Sequence, residues 1–179
     1  MIKLIKLFWV LALISSCKSE IAKPVYDSIE LSFSSGWPYA FSLKIDSANV
    51  VSKCDYKIIS KIESVKCFCD TLSQSSVDSL NYFVSELKNR KPDSVYAENC
   101  QDCSWYTIRI NETEGRIESE ITGDRHKNLI DSLADFILRH SYGMKNRVDT
   151  VYSFPLTERL VPTPPPMQVE TKFTPLRKI

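Results

Sequence analysis

The sequence predicts an α+β domain, with an antiparallel sheet of two hairpin-rich units, two helices packed on one face, and a proline-rich C-terminal tail. Three observations predict this fold class. Segments in which apolar and polar residues alternate are joined by short turns, as in antiparallel hairpins. Each set of predicted strands is followed by a single segment with the apolar spacing of a helix. Parallel βαβ folds instead have one helix after each strand. Six of the nine prolines lie beyond residue 144.

The first unit begins with two alternating segments, 29–33 and 39–45, which flank a turn at 34–38 and are expected to form a hairpin. Residues 50–69 are rich in β-forming side chains and are expected to add strands, although the pattern does not fix the break between them.

A helix is expected next, because one apolar stripe recurs at helical spacing: Val77, Leu80, Phe83, Val84 and Leu87. Ser75, with Asp78 three residues later, resembles a capping box at its start. Lys91 before Pro92 ends it, since the residue before a proline disfavours the helical conformation.

The second unit repeats this order. Residues 106–110 and 117–121 alternate around a turn at 111–115, which predicts another hairpin. The following helix is predicted by a second apolar stripe, and Gly143 is placed as its C-cap. The stripe comprises Leu129, Ile130, Leu133, Phe136 and Ile137.

The composition changes at residue 144, where the tail begins. Alternation over residues 148–154 is expected to add an edge strand, and residues 162–166 to form stiff polyproline II. A disordered end is the alternative. The tail nevertheless keeps many apolar residues, which favours a segment that wraps its own domain or docks on a partner.

The first residues have the pattern of a targeting signal. Lys3 and Lys6 precede an apolar run at 7–14, which is too short to span a bilayer, since about 20 apolar residues are needed. Two serines then precede Cys17. This arrangement resembles the lipobox signal of bacterial lipoproteins. The alternatives are an ordinary secretory signal with a chance cysteine, or a membrane stub.

The resemblance implies that residues 1–16 are removed and that Cys17 carries diacylglycerol on sulfur and an acyl group such as palmitate on its amine. Residues 17–27 would then be a lipidated tether, 28–143 the globular domain and 144–179 the tail. Lys18 is not the aspartate that resembles an inner-membrane retention mark, so the outer membrane is expected, with the periplasmic or surface face left open. The remainder resembles small uncharacterised envelope lipoprotein domains.

The charge balance argues against nucleic acid as a partner. Removal of Lys3 and Lys6 from the 23 basic residues leaves 21 against 22 acidic ones, a formal charge of −1. Nucleic-acid binding needs a basic stripe, whereas lysines here are interleaved with acidic residues.

Five cysteines remain after Cys17, namely Cys54, Cys67, Cys69, Cys100 and Cys103. An envelope location favours disulfides, at most two within the chain, whose connectivity the sequence does not give. Two alternatives stay open. Cys67, Cys69, Cys100 and Cys103 could bind zinc as four thiolates, or the C-x-x-C pair could be redox-active.

Enzymatic activity is not expected. The sequence contains no nucleophile elbow, phosphate loop or H-E-x-x-H motif. His126 and His140, if both lie on the last helix, are about 21 Å apart at a rise of 1.5 Å per residue, too far to share a metal.

Four aromatic residues beside turns, Trp37, Tyr39, Trp105 and Tyr106, suggest a stacking platform for a sugar or peptide. Packing in the core and at its rim is the alternative. The sequence thus predicts a non-enzymatic, membrane-tethered binding or accessory module, which contacts the bilayer through its lipid and engages another envelope protein or polymer. A cysteine-based zinc or thiol redox protein is the alternative function.

Overall fold

A computed structural model describes residues 23–35, 39–58, 62–97, 103–123 and 128–156. Within them, eight strands form one sheet and two helices pack on it, so the predicted α+β class is confirmed. The order across the sheet is β5-β7-β6-β1-β2-β3-β4-β8. The strands are β1 (Ser28–Ser34), β2 (Tyr39–Asp46), β3 (Val50–Ile58), β4 (Ile62–Thr71), β5 (Val95–Ala97), β6 (Trp105–Glu112), β7 (Gly115–Thr122) and β8 (Arg147–Val148), and the helices are α1 (Gln74–Arg90) and α2 (Leu129–Tyr142).

The sheet is mixed, which corrects the prediction of a purely antiparallel one. β5 pairs in parallel with β7, while the other described pairs are antiparallel. The reason is topological. β5 and β6 run in opposite directions and are not adjacent, because β7 lies between them. Since β7 is antiparallel to β6, it is parallel to β5.

One face of the sheet meets both helices. On β1, Ile29, Leu31 and Phe33 point to this side, because successive side chains of a strand alternate between faces. They lie in register with apolar residues of β2 and β6, such as Leu43 and Ile108 beside Leu31. Both helix stripes pack onto these rows. Burial of each large side chain contributes roughly 1.5–3 kcal/mol, which makes this face the main core.

The helix ends follow local hydrogen bonding. Ser73 rather than Ser75 caps α1, which corrects the predicted capping box: the Ser73 hydroxyl accepts from the Ser76 N–H. Ser73 has the extended backbone that lets a side chain accept a hydrogen bond from the first turn of the helix. Ser75 already lies inside the helix. Lys91 closes α1 in a left-handed conformation before Pro92, as predicted, and Gly143 is the C-cap of α2.

The C-terminal segment packs on its own domain. Arg147 and Val148 pair with β4 as an edge strand, a shorter one than the alternation predicted. The chain then crosses the sheet face opposite the helices, where Phe154 is buried against Ala40 and Cys54. Leu156 is also buried. Residues 157–179, including the predicted polyproline stretch, lie outside the described residues, as do residues 1–16 and the start of the tether.

Candidate functional site

The cysteines lie mainly on the sheet face that the C-terminal segment covers. Cys54 and Cys67 are opposite each other on β3 and β4 and form a disulfide, which confirms the predicted use of cysteines for cross-links. Cys103 is disulfide-bonded as well. Cys69 is a free, half-buried thiol. Cys17 and Cys100 lie outside the described residues.

Zinc ligation by the four cysteines would require Cys67 and Cys103 as thiolates, and both are disulfide-bonded. In the described part of the chain, no group of three histidine, cysteine or acidic side chains is placed to hold a metal. A redox role for the C-x-x-C pair stays a prediction, since Cys100 lies outside the described residues. The Cys69 thiol lies beside Tyr152, and burial, then hydrogen bonding to Cys69, raises the pKa of that tyrosine.

The aromatic residues of the suggested platform separate in the structure. Trp105 and Tyr106 are successive residues of β6 and so face opposite sides of the sheet. Tyr39 shares the helix-facing side with Tyr106, but β1 lies between their strands. Trp37 lies outside the described residues. The three described members therefore do not form one stacking surface.

A polar cluster instead lies on the helix-facing side at β2 and β3. Lys53 is almost fully buried there, and its ammonium is 2.9 Å from a carboxylate oxygen of Asp55. The Tyr39 hydroxyl donates to the same oxygen over 3.0 Å. We call Lys53, Asp55 and Tyr39 the Lys53 cluster.

Aromatic rings enclose the ammonium of Lys53. It lies 5.0 Å from the ring centre of Phe41, 5.7 Å from that of Phe68 and 6.0 Å from that of Tyr142 at the end of α2. Such rings attract a cation through their negative faces. The rings and Asp55 together compensate for the loss of water around the buried charge.

A cavity of about 350 Å³ adjoins the Lys53 cluster at the ends of β2, β3 and β4. We call it the Tyr39 pocket. Its lining residues are Tyr39, Asp55, Tyr56, Lys57, Ser64 and Lys66. Lys57 and Lys66 are exposed, whereas Asp55 already binds Lys53 and Tyr39. The pocket is therefore open to solvent and bears two cations beside a carboxylate that is already partnered.

The tyrosine hydroxyls of the helix-facing side remain protonated at pH values well above those at which tyrosine ordinarily ionises. Burial, followed by the charge and hydrogen bond of Asp55, raises the pKa of Tyr39. Burial also raises the pKa of Tyr106, with a further contribution from its hydrogen bond to Asp131. Tyr26 at the start of the domain has its pKa raised from 10 to about 12, mainly by burial and then by Asp46.

Stability is expected to fall as the pH rises from 10 towards 12. A tyrosine whose pKa is higher in the folded than in the unfolded state stabilises the fold. The full contribution is present when the pH is below the unfolded-state pKa, and it is lost as the pH rises through the folded-state pKa. Tyr26, Tyr39 and Tyr106 all shift in this direction. The measurement is the urea midpoint at pH 8, 10, 11 and 12.

Tyr26→Phe is the matched variant for this series, because the Tyr26 hydroxyl is buried and has no hydrogen-bond partner among the described residues. Its midpoint at pH 8 should equal or exceed that of the parent, and its decline above pH 10 should be shallower. An equal decline in both proteins would show that Tyr26 does not contribute.

No protein-family model matches the chain, and the comparison with curated proteins gives no significant match. Neither helix of the described part is long and apolar enough to cross a membrane.

Of the Lys53 cluster and the Tyr39 pocket, only Tyr39 is among the candidate site residues that the sequence predicts. A usable signal exists in β3, because Lys53, Asp55 and Lys57 occur at every second position and so share one face. Three charged residues in such a row are normally assigned to solvent. The register that places Lys53 opposite Leu43, a residue of the main core, shows that Lys53 faces the helices.

Proposed function

We propose that this protein is a lipid-anchored envelope protein that acts as a non-enzymatic binding module and holds an anionic ligand in the Tyr39 pocket. The observation that carries the proposal is the pair of exposed lysines, Lys57 and Lys66, beside a cavity of about 350 Å³. The anchor is proposed from the lipobox-like residues that end at Cys17.

The charges favour an anion. Asp55 is neutralised by Lys53 at 2.9 Å, and Lys57 and Lys66 add positive charge to the lining of the pocket. The volume is that of a small-ligand site, for which about 300–1,000 Å³ is usual. The Tyr39 ring adds an apolar surface of the kind on which sugars stack. An acidic sugar unit of an envelope polymer satisfies all three features.

Binding is favoured over turnover by the state of Tyr39. Its hydroxyl donates to Asp55, and its raised pKa keeps it neutral, so it is a hydrogen-bond donor rather than a base. Lys53, the other candidate for chemistry, is enclosed by rings and by Asp55.

The test compares two matched probes, oligogalacturonate and the neutral galactose oligomer of equal length, titrated into the purified acylated protein by calorimetry. The acidic oligomer should bind and the neutral one should not. Lys57→Glu/Lys66→Glu should weaken binding about tenfold, since loss of about 1.4 kcal/mol changes an affinity by that factor.

Lys91→Glu/Lys145→Glu is the control, because it makes the same change of charge at exposed positions outside the pocket. Equal losses in both variants would show that the overall charge of the protein, and not the pocket, attracts the ligand. Absence of binding to both oligomers would contradict an acidic-sugar ligand.

A further inference from the structure

The outer surface of the helix layer carries an aromatic patch. Tyr82 and Phe83 of α1 have ring centres 6.0 Å apart, and Phe83 lies 5.9 Å from Phe136 of α2. Tyr82 is 61% exposed, and the two phenylalanines are half-buried. We call these three residues the helix-layer patch. The main core lies on the other side of the helices, so the exposed ring of Tyr82 is not needed there.

The chain enters the domain against α1, the helix that carries Tyr82. Asn81, the residue before Tyr82, accepts from the Val25 N–H over 3.0 Å and donates to the Lys23 carbonyl over 3.2 Å. Val25 is itself 43% exposed. The last residues before β1 are thus bound to α1 at the residue that precedes Tyr82.

The length of the tether limits how far the domain can lie from its anchor. Lys23 is the sixth residue after Cys17, and a fully extended chain spans at most about 3.6 Å per residue, or roughly 22 Å in total. A bilayer that holds Cys17 therefore lies within about 22 Å of Lys23, whose carbonyl is bound to Asn81 of α1.

The geometry points to the bilayer as the surface that covers the helix-layer patch, with Tyr82 at the level of the lipid headgroups. This inference rests on the proposed lipid anchor at Cys17. Tyrosine is enriched at membrane interfaces because its ring is apolar and its hydroxyl polar. The anchor keeps the domain at a high effective concentration beside the bilayer, so a patch of three rings needs little affinity of its own for lipid.

The charges beside the patch select among lipids. The shallow grooves next to it are also lined by Asp78, Asp135 and Arg139. This is not the cluster of lysines and arginines that attracts anionic lipids. Contact with the bilayer should therefore not depend on added anionic lipid.

The orientation also separates the two sites. β1 starts at the tether, and its other end lies beside β2 near Tyr39, so about 20 Å of strand at 3.3 Å per residue separates them. With the helix-layer patch on the membrane, the Tyr39 pocket lies at the end of the sheet that is remote from the tether.

The test places a tryptophan at each of two exposed helix tyrosines in the acylated protein. Tyr82→Trp reports on the patch, and Tyr142→Trp, at the pocket end of α2 and 65% exposed in the parent, is the matched control. Both are inserted into phosphatidylethanolamine and phosphatidylcholine vesicles that contain brominated lipid. Emission of the parent protein, from Trp37 and Trp105, is subtracted.

The added emission of Tyr82→Trp should be blue-shifted and quenched by brominated lipid, at low and high salt alike, while that of Tyr142→Trp should be unchanged. Equal quenching of both, or of neither, in protein that floats with the vesicles would overturn the docking inference and leave the anchor intact. Protein that does not float with the vesicles would overturn both proposals.

Discussion

Asp55→Ala is expected to lower the free energy of unfolding by about 3 kcal/mol. Removal of one partner of a buried ion pair leaves the other charge uncompensated, at a cost of roughly 3–5 kcal/mol. The lower end applies because the Asp55 side chain is 24% exposed, although that of Lys53 is only 5% exposed. Tyr39 loses its acceptor at the same time. Urea unfolding at pH 7 measures the change.

Lys53→Met/Asp55→Ala is the companion variant. The aromatic rings that enclose the ammonium suit a thioether, since sulfur makes favourable contacts with rings. The double variant should therefore recover most of the stability that Asp55→Ala loses. Asp149→Ala, an exposed substitution, is the control for loss of a carboxylate. If the double variant is as unstable as Asp55→Ala, an unpaired Lys53 is not the cause.

Cys17→Ser is expected to abolish membrane association. Each buried CH₂ of an acyl chain contributes about 0.8 kcal/mol, and two or three chains anchor a protein stably. The helix-layer patch alone should not retain the protein. Fractionation of cells, with labelling by a clickable palmitate analogue, measures both the anchor and its attachment.

The control is Cys69→Ser, which removes the free thiol of the described part of the chain and leaves the lipobox-like residues intact. It should be labelled and sediment with membranes like the parent. A Cys17→Ser protein that remains in the membrane fraction would contradict the lipoprotein assignment.

The sequence predicted those strands that bury one face along most of their length. β1, β2, β6 and β7 follow the alternation of apolar and polar residues because one side of each meets the helices. β5 was not predicted, because three residues are too few to show an alternation of apolar and polar side chains. Its parallel pairing depends on which strand later fills the position beside it, and local sequence does not contain that information.

The site was less predictable for a related reason. Alternation shows that Lys53 and Asp55 share a face but not which face meets the helices. A lysine in a strand is normally exposed, whereas this one is buried among Phe41, Phe68 and Tyr142. The stacking platform was predicted from the aromatic side chains and their positions beside turns. Their separation across the two faces of the sheet depends on strand register, which composition does not reveal.

The central position of β1 has a consequence for the order in which the domain assembles. β1 can pair with β2 as soon as both have left the ribosome or a translocation channel, but its second edge belongs to β6. Between them along the chain lie β2, β3, β4, α1 and β5. Until β6 emerges, the nascent sheet has an unpaired edge and an apolar face, and such edges template aggregation. Pairing over so long a separation is also slow. One edge of β1 therefore stays without its partner until the chain has been made as far as β6.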